Sequence, residues 1–322
     1  MMLKSKASRR GSRALAGMIA TAALAVLAAC GGGTSQYDPF IAERVFAFGD
    51  DTSALRSDGK RYGTNGVDAT TGAINCNLEP LWVQTIAGYY GMVFTECNTA
   101  SPAAVPKAFM YAAAGARVAE VAAQVEAQVA AGGLRDKDLA LVAAGANDVL
   151  ELYAQYPAQS ETALINEARV RGERLARVVN RLVDLGAKVI VANLPDLGMT
   201  PFARAQALAN AGSGPDRAKL ITDLSNVFNE QLGVKVLLDG RYVGLVQMDL
   251  RTQSAARSPA SFGFTDVSTA VCTVALPDCT TTTVVTGGVA GTWLWADNTR
   301  LASGGQAQLA TLALERAQRN PF

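Results

Sequence analysis

The 322-residue sequence contains no histidine. That absence removes the side chain whose proton affinity ordinarily lies near neutral pH, and with it the usual general base of nucleophilic catalysis and the commonest metal ligand. Proline is scarce, at 11 residues against 30 glycines, and 49% of the chain is hydrophobic. Such a composition builds one large buried core, not a disordered or fibrous chain. Acidic and basic residues nearly cancel, at a formal net charge of +1, so nothing in the charge balance points to a nucleic-acid partner. No internal repeat is present.

Charge is nevertheless unevenly placed. Residues 1–29 carry Lys4, Lys6, Arg9, Arg10 and Arg13, no acid, and then the apolar run ALAGMIATAALAVLAA, which reads as a secretion signal. The Ala-rich run is short for a membrane-spanning anchor. Leu27-Ala28-Ala29-Cys30 resembles the lipobox of bacterial lipoproteins, in which the cysteine is acylated and becomes the mature N-terminus. A plain signal peptide with an incidental cysteine is the competing reading. By the same resemblance Gly31 permits export to the outer membrane, and residues 30–40 would form a lipidated, flexible tether to a single domain over 41–322. The expected membrane contact is through this lipid, on the periplasmic or cell-surface side. Without the signal, 24 Lys plus Arg stand against 28 Asp plus Glu.

Four further cysteines remain, Cys76, Cys97, Cys272 and Cys279. An even number in an oxidising compartment implies disulfides. Local pairing gives Cys76 with Cys97 and Cys272 with Cys279, while the other two connectivities stay open. A zinc site competes poorly, since the spacings are wrong and histidine is lacking. No cofactor is implied.

From residue 41 short apolar runs alternate with helical patterns. Strands are expected at 44–49, 92–96, 139–145, 188–194 and 243–249. Helices are expected within LEPLWVQTIAGYYG, ARVAEVAAQVEAQVAAG, SETALINEARVRGERLARVVNRLVDLG, DRAKLITDLSNVFNEQLGVKVLLDG and SGGQAQLATLALERAQ. Alternation of this kind predicts a parallel sheet with helices on both faces. Stretches 52–80 and 252–292 show neither period, and the second is expected to be a long ordered loop pinned by Cys272 and Cys279. The Ala- and Val-rich stripe from Ala116 to Ala131 reads as a core-facing helix. The arginines at 169, 171, 174 and 177 read as a solvated helix face, with an anion-binding patch as the alternative.

Three signals fall at the carboxyl ends of expected strands or beside the last helix, where doubly wound sheets place functional groups. They are RVFAFGDD, LALVAAGANDVL and LWADNTR, with FMYAAAGARV between the first two. Together with LWVQTIAGYYG, VIVANLPDLGMTPFA and SFGFTDVSTAVC, this ordered series resembles the SGNH or GDSL family of ester hydrolases over nearly all of residues 44–318. The resemblance implies a three-layer α/β/α sandwich with a central parallel sheet, flavodoxin-like. It also implies an oxyanion hole completed by the backbone N–H of Gly115 and the side-chain amide of Asn147, with the first donor from the backbone of residue 51. Taken alone, GAND is equally a helix start, because Asn and Asp are favoured caps.

Two positions depart from the family pattern. Asp51 stands where the nucleophilic serine belongs, and Arg300 stands where the histidine base belongs, three residues after Asp297. Arginine is always protonated and cannot accept the serine proton. Ser53 is a weak substitute nucleophile and a better helix cap. An aspartate nucleophile at Asp51 would lack an activated water, and a metal held by Asp50, Asp51 and Asp297 is a further alternative without a spacing motif. The sequence predicts that Asp51 and Arg300 face one another, with Asp297 on the far side of the guanidinium. Three functions follow as expectations: a degenerate relative that binds an acyl or ester ligand or a protein partner, a carboxylesterase or lipase working with unconventional residues, or a structural envelope protein.

Overall fold

The computed structural model describes residues 39–98 and 105–322. The signal segment, Cys30 and most of the tether lie outside the described residues. Residues 40–322 form one compact unit, and both of its large hydrophobic cores are drawn from that unit alone.

Five parallel strands form the central sheet: β1 (Arg44–Gly49), β2 (Ala108–Met110), β3 (Asp138–Ala143), β4 (Lys188–Ala192) and β5 (Val243–Val246), in the order β2-β1-β3-β4-β5. The helices are α1 (Trp82–Tyr89), α2 (Val118–Ala130), α3 (Ala146–Ala154), α4 (Glu161–Asp184), α5 (Pro201–Ala209), α6 (Arg217–Lys235), α7 (Met248–Arg257) and α8 (Ser303–Arg319). Among the described residues, no helix is long and apolar enough to cross a membrane.

Strand periodicity sorts the side chains into two layers of core. Phe46, Phe48, Ala140, Val142, Val189 and Val191 point to the face covered by α2, α3, α4 and α6. Val45, Ala47, Leu139, Leu141, Ile190 and Ala192 point to the face covered by α1, α7 and α8. Because both faces are covered, the strands read as unbroken apolar runs. The result is the expected three-layer α/β/α arrangement. Helix ends also follow local chemistry: the Ser160 hydroxyl accepts from the Ala163 N–H to start α4, and Gly186 at φ +100° follows its end.

The structure corrects three of the expectations. Residues 92–96 are not a sheet strand: only Phe94 makes a bridge, to Ala108, and a 3-10 turn at Thr95–Cys97 follows. The strand beside β1 is Ala108–Met110, three residues long and too short to carry a readable period. Stretch 252–292 is more than a loop. It begins in α7 and contains β6 (Asp266–Ala270), which pairs in parallel with β7 (Trp293–Trp295) as a separate two-stranded sheet. The run 243–249 ends as a strand at Val246, because the Asn193 side-chain oxygen accepts from the N–H groups of Met248 and Asp249 and opens α7 there.

The strand order reverses at β1. The chain leaves β1 for β2 on one side, and β3 lies on the other. A crevice opens at such a switch point beyond the carboxyl ends of the strands.

Candidate active site

The crevice is built on a tight approach between β1 and β3. Gly49 pairs with Ala143 and adopts φ +146°, and a Cβ there would lie 2.1 Å from the Ala143 carbonyl oxygen. Only glycine fits both the backbone angle and the space. From α2, the Gln124 side chain accepts from the Gly49 N–H at 2.8 Å and donates to its carbonyl at 2.9 Å. This brace fixes where the next two residues, Asp50 and Asp51, leave the sheet.

Asp51 is 4% exposed and its carboxylate is fully engaged. Oδ2 accepts from the Gly115 backbone N–H at 2.9 Å and from the Asn147 side-chain amide at 2.9 Å. Oδ1 accepts from Arg300 Nε at 3.0 Å. Gly115 sits at φ +73° in the turn before α2, and Asn147 lies in the first turn of α3, steadied by a second bond to the Ala116 carbonyl at 3.0 Å. GAND therefore opens a helix and also delivers a side chain to the crevice.

Arg300 bridges two carboxylates. Its Nε faces Asp51 and its Nη1 faces Asp297 Oδ2 at 3.0 Å. Asp297 is held in turn, since its Oδ1 accepts from the backbone N–H groups of Thr299 and Arg300 at 2.8 and 2.7 Å. Burial of the guanidinium would lower its proton affinity, but the charges of Asp51 and Asp297 outweigh that and raise it. The centre is thus a closed run of charge-assisted hydrogen bonds.

Asp50 behaves differently. It is 1% exposed; Oδ1 accepts from the Thr52 N–H at 2.9 Å, while Oδ2 has no partner. Burial, and then the neighbouring Asp51 charge, push its carboxyl up to about 7. It lines a cavity of ≈ 30 Å³ together with Asp51, Asn147, Asn193 and Met248, room for about two water molecules. A folded-state value above the unfolded one means that the native protein binds this proton more tightly. Its contribution is complete below about pH 4, where the unfolded chain is protonated too, and is lost as pH rises toward about 7. Asp50→Asn should flatten that slope. Urea unfolding at about pH 5 and about pH 8 is expected to show the unmodified chain losing about 2 kcal/mol more than the variant.

Ser53 caps no helix and is not poised as a nucleophile. It is buried, and its hydroxyl accepts from the Trp82 indole N–H at 2.9 Å. Gln306 ties α8 to the same turn, donating to the Thr52 carbonyl and accepting from the Trp82 N–H. Neither Gln124 nor Gln306 stands out in the sequence, because an isolated glutamine carries no spacing signal. Among the described residues, no cluster of three acidic or cysteine side chains is disposed to hold a metal ion. Of the three acids weighed as an alternative metal site, Asp51 and Asp297 both turn to Arg300. Cys76 pairs with Cys97 and Cys272 with Cys279, their Cα atoms 5.4 and 5.8 Å apart. Arg171 departs from the solvated-face expectation: it is mostly buried and ion-paired with Asp148, Glu151 and Glu167.

Chemically, the site holds two donors aimed at one oxygen, and no imidazole stands beside position 51 to take a proton from a nucleophile. The guanidinium occupies the bridging place between position 51 and Asp297, but it can only donate.

Comparison with known proteins gives one family model, that of GDSL-like Lipase/Acylhydrolase, over residues 45–285. The match takes in Asp51, Gly115 and Asn147 and stops before Asp297 and Arg300. No curated protein matches the chain. Among solved structures, the lipase Lip_vut3 from a goat rumen metagenome is 13% identical, with a TM-score of 0.46, and covers 85% of this chain and 96% of its own. An acetylxylan esterase from Geobacillus stearothermophilus is 14% identical, with a TM-score of 0.45, over 86% of this chain and 95% of its own. At such values they bear on neither substrate nor residue roles.

Proposed function

The chain belongs to the GDSL-like lipase and acylhydrolase family, and from that premise we propose that it is a catalytically degenerate member acting by binding, not turnover. One observation carries this reading: the Asp51 carboxylate places one oxygen on the Gly115 and Asn147 donors and the other on Arg300. In an acyl-transfer enzyme, donors of this kind stabilise the charge that develops on a substrate oxygen. Here a side chain of the protein itself takes them. The carboxylate stands in for the oxyanion, and the guanidinium stands in for the imidazole.

Under this reading an acyl or ester ligand, or a protein partner, engages the mouth of the crevice, since the ≈ 30 Å³ cavity behind it admits water but no acyl chain. The leader with Cys30 supports export and lipid anchoring at the outer membrane as part of the same proposal. Ester hydrolysis with unconventional residues is the lesser alternative: Ser53 is bound to Trp82, and both oxygens of Asp51 are already held by the Gly115, Asn147 and Arg300 donors.

A chain beginning at Pro39, which keeps the whole compact unit, should hydrolyse p-nitrophenyl acetate and butyrate no faster than buffer. Turnover near about one per second, ordinary for enzymes, and abolished by Asp51→Ala, would overturn the reading.

A further inference from the structure

All five strands of the main sheet point the same way. The end opposite the Asp51 centre therefore collects the residues that lead into the strands and those that finish the helices. Two properties concentrate there.

The first is exposed apolar surface. Of the thirteen exposed large hydrophobic side chains among the described residues, seven lie at this end: Ile41, Tyr89, Val93, Val105, Val234, Leu237 and Leu238. Ile41 is 71% exposed, Val105 82% and Leu238 64%. Val93 and Val105 stand toward the β2 edge of the sheet and Leu237 and Leu238 toward the β5 edge, so the apolar side chains are spread across this end.

The second is positive charge left over after local pairing. Glu43 pairs with Lys137, Asp136 with Lys188 and Asp239 with Arg241. Lys107, Arg135, Lys235, Arg316 and Arg319 remain at this end without an ion pair among the described residues. Asp184, Glu230 and Glu315, in the last two turns of the helices that end here, oppose them. This surplus sits on a domain whose acids outnumber its bases overall.

The unit also starts here. Phe40, its first residue, packs edge-on against Tyr90 and against Phe322 beyond the end of α8.

We propose that this end of the molecule rests on an anionic phospholipid surface, with the leucines, valines and Ile41 entering the headgroup boundary and the unpaired lysines and arginines meeting lipid phosphates. Shallow apolar insertion and electrostatic attraction add in such contacts. The crevice then faces away from the bilayer. This surface is independent of whether the crevice turns over substrate.

The test uses the chain beginning at Pro39, so that neither leader nor lipid contributes, and measures co-sedimentation with vesicles. Binding should be at least about tenfold stronger to vesicles of about 30% phosphatidylglycerol in phosphatidylcholine than to phosphatidylcholine alone, and should fall as salt rises from about 50 to about 500 mM. Neutralising Lys107, Lys235 and Arg319 together to glutamine should weaken it about 100-fold, at about fivefold per charge. The same change at Arg56, Arg169 and Arg204, exposed elsewhere, should leave it intact. Equal binding to both vesicle types, no binding to either, or an equal loss from the two triple variants overturns the proposal.

Discussion

Asp51→Ser combined with Arg300→His is expected to raise kcat/KM for p-nitrophenyl acetate at least about 1000-fold over the unmodified chain, while either change alone gains less than about tenfold. The asymmetry follows from the geometry. Serine alone frees the Gly115 and Asn147 donors, but its proton has only a guanidinium beside it, which cannot accept. Histidine alone supplies a base, yet the Asp51 carboxylate still fills the donor pair and holds the imidazole in its charged form. Together they place a hydroxyl under two vacant donors and an imidazole between it and Asp297, whose own oxygen is already fixed by the Thr299 and Arg300 N–H groups. Groups that act as a unit are strongly non-additive. Steady-state hydrolysis by the four proteins measures this directly. A double variant as inert as its parents would show that the remaining donors are not disposed for catalysis.

The largest effect on stability is expected at Gly49. A methyl group there would sit 2.1 Å from the Ala143 carbonyl oxygen, on a residue held at φ +146°, where side chains are strained regardless of space. Neither neighbour can yield. Ala143 closes the β1–β3 register, and Gln124 clamps the Gly49 peptide from the other side. Gly49→Ala should cost at least about 4 kcal/mol, in the range reserved for backbone clash within a core. Urea denaturation followed by far-UV circular dichroism would report it. A loss under about 1 kcal/mol would mean that the strand ends separate easily, and the site would then not be rigidly placed.

Much of the architecture is legible in the sequence because three strands, β1, β3 and β4, are buried on both faces and so appear as continuous apolar runs. The long helices announce themselves by periodicity and by glycine stops. β2 and β7 escape because three residues do not make a period, and β6 because its half-exposed DVSTA carries no apolar run. At the site, the spacing of GDD, the Gly115 turn, GAND and DNTR brings Asp51, Gly115, Asn147, Asp297 and Arg300 to one crevice. What no spacing conveys is that a single oxygen of Asp51 takes both donors. That depends on where a side chain points within a fraction of an ångström. Nor does an Asp beside another Asp disclose that Asp50 is the one with an oxygen left without a partner and with a raised proton affinity.

The bridge from Asp297 through Arg300 to Asp51 also constrains how such a protein can change. Undo the acidic replacement alone and a partly buried guanidinium keeps one counter-ion where it had two. Undo the basic one alone and a nearly inaccessible anion loses its cation, a change that is strongly destabilising in protein interiors. For the degenerate member proposed above, each of the two residues is thus the other's support, and ester chemistry is reached only through a less stable single variant in either order.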